Sequence, residues 1–60
     1  MVEYEIYMIL SEQYFKIVRI MEALDMLLHD KGVVGSQQDD IERARNLLSE
    51  ANDVINLLRR

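Results

Sequence analysis

Cysteine is absent from the chain, which excludes disulfides and any thiolate metal site. Proline is absent too, and both glycines, Gly32 and Gly35, fall in one short stretch. The rest of the chain is therefore free of the two residues that most often interrupt a helix. A single histidine excludes a His-rich metal cage. The longest uninterrupted apolar run, Ile6 to Leu10, falls far short of the ~20 residues a membrane span needs. The start, Met1-Val2-Glu3-Tyr4-Glu5, lacks the basic region and small-residue cleavage site of a signal peptide. A soluble, cytoplasmic protein is expected.

Excess positive charge is lacking as well: 7 Lys and Arg stand against 11 Asp and Glu, a net −4. That counts against general nucleic-acid affinity, which needs cations to neutralise phosphate, and against docking on an anionic membrane. What the chain does have is apolar surface. Half of the residues are hydrophobic, well above the composition of disordered segments. Sixty residues make one domain, 1–60, at the size where a lone core barely offsets chain entropy. Without disulfide or metal, association is the expected source of further stability.

From about residue 3 to 31, Tyr7, Leu10, Tyr14, Ile17, Met21, Leu24 and Leu28 step by three and four without a miss. That is a helical seam of coiled-coil type. Glu3 and Glu5 open it and His29 and Lys31 close it, as the helix dipole favours. Gly32 is the expected C′ residue in a left-handed conformation, with Gly35 freeing the chain to reverse. Ser36 is the expected N-cap of a second helix, with Asp39 completing a weakened capping box. Asp39, Asp40 and Glu42 would then load its first turns. This helix, about 37–58, gathers Ile41, Ala44, Leu47, Leu48, Ala51, Val54, Ile55 and Leu58 on an arc of roughly 140°. The short linker makes the two helices antiparallel neighbours. The expected fold is thus an all-α antiparallel hairpin.

Two helices cannot bury all of this. Helix 1 carries a broad arc through Ile6, Ile9, Leu10, Tyr14, Ile17, Ile20, Met21, Leu24, Leu27 and Leu28, more than one partner covers. Leaving four or five such side chains in water forgoes about 1.5–3 kcal/mol each, comparable to the whole stability of a small domain. Dimerisation into a four-helix bundle buries both arcs. The expected interface comprises Tyr7, Leu10, Tyr14, Ile17, Ile20, Met21, Leu24 and Leu28 of helix 1 with Leu48 and Ile55 of helix 2. The surplus is expected on helix 1, since helix 2 has one face that a single core would satisfy.

Other features carry weaker signals. Tyr4, Met8, Phe15 and Met26 form a second stripe on helix 1, covered by oligomer packing or offered to another helical protein. Gln13 interrupts the line Ile6, Ile20, Leu27, where a polar residue can fix register or simply reach water. His29, Asp25 and Glu22 share a face, but bundles that hold metals use Glu-x-x-His pairs on facing helices. No metal or other cofactor is expected. Phe15, Lys16 and Arg19 make a small basic-aromatic spot of the kind on which bases stack, with Arg43, Arg45, Arg59 and Arg60 adding charge on helix 2. It is interleaved with Glu5, Glu12 and Asp30, so i, i+4 pairs such as Glu12–Lys16 are the simpler reading. No nucleophile–base pair, carboxylate pair or phosphate loop can be named, and Gly32-Val33-Val34-Gly35 lacks the spacing and lysine of the last.

In length, acidity and two-helix layout the chain resembles the Rop family of plasmid copy-number regulators, with Phe15 between polar neighbours as a parallel. That resemblance implies a four-helix bundle binding RNA on a helix-1 face. The layout is also similar to the helical-hairpin co-chaperones of type III secretion needles, which implies burial of an exposed stripe in a hetero-complex. The residues themselves lead to a non-enzymatic bundle protein acting through self-association and protein–protein interaction. The partner is expected to be a second copy of the chain, then another helical protein. A Rop-like RNA-binding regulator is the alternative.

Overall fold

A computed structural model describes residues 3–60; Met1 and Val2 lie outside them. Two helices, α1 (Tyr4–Leu28) and α2 (Gly35–Leu58), pack against each other as a hairpin, with no strand among the described residues. The Cα trace measures 44 × 14 × 10 Å, a slab two helices wide and one deep. The expected all-α hairpin is present, and both helix boundaries near the turn differ from those expected.

α1 stops at Leu28, three residues early. The His29 and Asp30 amides tighten onto Met26 and Leu27 carbonyls at 3.2 and 3.1 Å, the i→i+3 pattern that closes a helix end. His29 is the C-cap and Lys31 lies outside the helix, so neither basic residue falls in its last turn. The glycine expected to terminate it does not. No described glycine has positive φ. Instead the Asp30 carboxylate accepts the Gly32 amide at 2.8 Å, and Val33 N–H returns to the Asp30 carbonyl at 3.2 Å. An Asx turn thus does the work assigned to a left-handed glycine.

α2 begins at Gly35 with Val34 as N-cap, so Ser36 lies inside the helix and no side chain caps the end. Starting earlier moves Asp39, Asp40 and Glu42 beyond the first turn, which holds no acidic residue. Gln38 Nε2 reaches back to the Leu28 carbonyl at 3.4 Å, occupying one of the acceptors that every helix C-terminus leaves open. At the far end Arg59 is the C-cap of α2.

Leu10, Ser11, Tyr14, Ile17, Val18, Met21, Leu24, Asp25 and Leu28 of α1 are half-buried against α2. From α2 come Ile41, Arg45, Leu48, Ser49, Asn52, Ile55, Asn56 and Arg59. Among the described residues no hydrophobic one is fully buried, and the only buried residue is Asn52, at 5% exposure. Two helices in contact cover one stripe each, so a hairpin has a seam rather than a core.

Candidate association surface

The seam has two unlike edges. On one edge polar residues recur every seven positions. Arg45 Nε donates to Asp25 Oδ1 at 2.6 Å. Seven residues on along α2 is Asn52, and seven further is Arg59, whose guanidinium donates to Ser11 Oγ at 3.1 Å and Asn56 Oδ1 at 3.0 Å. Along α1 the same steps run backward through Asp25, Val18 and Ser11. Arg59 also lies 4.2 Å above the Tyr14 ring, which meets Phe15 edge-on at 5.3 Å, a favourable placement for a guanidinium. Asn52, opposite Val18, keeps its Oδ1 buried without a hydrogen-bond partner.

On the other edge the seam is apolar and runs out onto open surface. Counted at about 100° per residue from the centre of each contact stripe, Ile6, Ile9, Gln13, Ile20 and Leu27 lie on one flank of α1. Ala44, Leu47, Ala51, Val54 and Leu58 lie on the flank of the same rotational sense on α2. In an antiparallel pair, flanks of the same sense fall on one side. The hairpin therefore presents one apolar face made by both helices. Ile9 and Leu47 are each 59% exposed, and Ile6, Ile20, Leu27, Val54 and Leu58 are also exposed.

This corrects the expected division of surplus surface. α2 does not turn its whole apolar arc to α1. It is rotated so that Arg45, Asn52 and Arg59 meet Asp25, Val18 and Ser11, and Ala44, Leu47, Ala51, Val54 and Leu58 remain outside. The arc is split between two directions on both helices, as when each helix has two neighbours.

The structure places the residues expected at the oligomer interface in two groups. Leu10, Tyr14, Ile17, Met21, Leu24, Leu28, Leu48 and Ile55 are half-buried between the hairpin's own helices, while Tyr7 and Ile20 are exposed. The stripe of Tyr4, Met8, Phe15 and Met26 is exposed on the side opposite the apolar face. There α2 offers mainly polar groups, Glu42, Ser49 and Asp53, with Leu57 exposed at their edge. Gln13 is exposed on the apolar face itself.

Open depressions mark the described surface, and the lining of two of them is clear. One is lined by Asp39, Glu42, Arg43, Asn46, Leu47 and Glu50, all of α2; the other by Glu12, Phe15, Lys16 and Arg19, all of α1. Neither has walls from both helices. In the second, Lys16 Nζ is paired with Glu12 at 3.2 Å, the expected i, i+4 contact. Asp25, grouped in the sequence with His29 and Glu22, is turned to Arg45 instead. The roles of Asn52, Arg45 and Arg59 in the seam were missed in the sequence, although their seven-residue spacing was the signal that could have found them.

The chain matches no known family model, no curated protein and no solved structure.

Proposed function

We propose that the protein is a non-enzymatic helical-bundle protein that acts through self-association, two hairpins meeting apolar face to apolar face in a four-helix homodimer. The observation that carries this is the single side shared by Ile9, Ile20 and Leu27 of α1 with Leu47, Val54 and Leu58 of α2. A face of 44 × 14 Å at Cα level, corrugated by side chains, is on the order of the ~800 Å² per partner of a stable interface. Ala44 and Ala51 let a facing helix come close, and Ile20 and Leu27 supply bulk to fill the approach. Burying even five of these side chains adds about 1.5–3 kcal/mol apiece, of the order a seam without a core lacks.

The RNA-binding alternative rests on Phe15, Lys16 and Arg19. Glu12 shares their depression and is paired with Lys16, and the chain is acidic overall, so the self-association reading is preferred.

Thermal melting followed by circular dichroism tests the proposal. A folded dimer melts at higher temperature as protein concentration rises. Ile20→Glu, which sets a carboxylate on the apolar face, should lower the midpoint and abolish its concentration dependence. A midpoint independent of concentration in the unsubstituted chain would refute the proposal.

A further inference from the structure

Two lines of side chains stand straight out of the apolar face, at roughly 90° from the seam on each helix. On α1 they are Gln13, Ile20 and Leu27; on α2 they are Ala44, Ala51 and Leu58, and all six are exposed. The Asp25–Arg45 and Ser11–Arg59 pairs fix how the two lines sit beside each other. Each step forward on α1 is level with a step back on α2. Ile20 therefore lies within one residue of the level of Ala51, Leu27 of Ala44, and Gln13 of Leu58. Level for level, the two large side chains of α1 stand beside the two alanines of α2.

We infer that the two hairpins of the homodimer are related by a two-fold axis running along the helices. α1 of each copy then packs on α2 of the other, with Ile20 on the partner's Ala51 and Leu27 on the partner's Ala44. The inference rests on the self-association proposed above and adds its direction.

Two kinds of two-fold axis bring the faces together. An axis across the helices sets α1 on the partner's α1 and α2 on the partner's α2. At whatever level that axis lies, the line of Ile20 and Leu27 meets its own copy, and so does the line of Ala44 and Ala51. Bulk then stands on bulk along one side of the bundle and alanine on alanine along the other, so no single helix spacing closes both. Centred near Ile20 and Ala51, that axis also sets Gln13 against the partner's Leu27, where its amide is buried without a partner. An axis along the helices keeps the levels and exchanges the helices. Ile20 and Leu27 fill the space over the partner's alanines, twice, at one spacing. Gln13 falls beside the partner's Leu58 at the end of the four-helix part, within reach of water. Helix direction does not separate the two, since every neighbouring pair is antiparallel in both. Charge does not either, because Glu3 and Glu5 mark one end and Asp30, Asp39 and Asp40 the other. Side-chain size and the place of Gln13 make the choice.

The chain has no cysteine, so an introduced thiol reports alone. Lys31 is exposed in the turn, outside both helices and away from the apolar face. Lys31→Cys is given a nitroxide label, the label-to-label distance is measured by pulsed dipolar resonance, and mass is measured by light scattering. An axis along the helices puts both turns at one end, with labels within about 25 Å at helix spacings of 8–10 Å. An axis across them puts the turns at opposite ends, more than about 30 Å apart at ~1.5 Å per residue. The short distance is expected. The long one, in a sample of dimeric mass, overturns the arrangement and leaves self-association standing. Monomeric mass removes both. Disulfide formation between co-refolded chains of different length gives a second reading on the face itself. Leu27→Cys should link to Ala44→Cys of the other chain and hardly to Gln13→Cys; the reverse preference overturns the arrangement.

Discussion

Arg45 Nε and Asp25 Oδ1 are 2.6 Å apart across the hairpin, between residues twenty positions apart in the chain. Together with Arg59 and Ser11, two heptads away along the helices, this pair sets the level at which α2 lies beside α1. Both side chains are more than a third exposed, so solvent screens the attraction and the pair orders the register more than it stabilises the fold. A double-mutant cycle with Asp25→Asn and Arg45→Gln should return a coupling of about 0.2–1 kcal/mol. A value of several kcal/mol would mean that the pair is far better shielded than a hairpin alone shields it.

Asn52 is buried with its Oδ1 unpaired. An unsatisfied buried polar atom costs ~1–3 kcal/mol, and an apolar side chain of similar size has no such penalty. Asn52→Leu should therefore raise stability by roughly 1–2 kcal/mol, read as a higher denaturation midpoint in urea. The same substitution removes the buried polar group between the Arg45 and Arg59 layers of the seam, so the variant is expected to be less uniform in oligomeric state. A destabilised Asn52→Leu would show that the amide has a partner in the assembled protein.

Gly35 does not have positive φ, and a Cβ there would meet nothing within 4 Å. As the first residue of α2 it contributes only unfolded-state freedom. Gly35→Ala should stabilise by about 0.4–1 kcal/mol, measurable as a rise in melting temperature. A loss of stability would restore the conformational role that glycine-based turn rules assign to this stretch.

The stripe of Tyr4, Met8, Phe15 and Met26 lies away from the apolar face. Met8→Gln with Phe15→Gln should leave the mass in solution unchanged. Dissociation of this double variant would place the stripe inside the oligomer and shift the interface to the other side of the hairpin.

Much of the architecture was legible in the sequence. Apolar positions at three- and four-residue steps announce both helices, and Leu10, Ile17 and Leu24 of α1 fall in the seam. The rotation of α2 was not legible from its own pattern. A helical wheel shows how wide the arc of Ala44, Leu48, Ala51 and Ile55 is, but not how it is shared among neighbours. That sharing is set by pairs such as Arg45 with Asp25, whose partners are distant in sequence. The turn misled for a local reason: two glycines suggested a left-handed cap, whereas the Asp30 carboxylate closes the turn with ordinary backbone angles. The exposure of Tyr7, on the same seven-residue line as half-buried Tyr14, Met21 and Leu28, also needed the register, because it depends on where α2 ends beside α1.

Sedimentation equilibrium of the unsubstituted chain at micromolar concentration bears most directly on the shared apolar face. A homodimer requires a mass twice the 7.1 kDa of one chain, with full helicity retained. A single species of 7.1 kDa with the same helicity would contradict it, since the face of Ile20, Leu27, Leu47 and Val54 would then be stable in water.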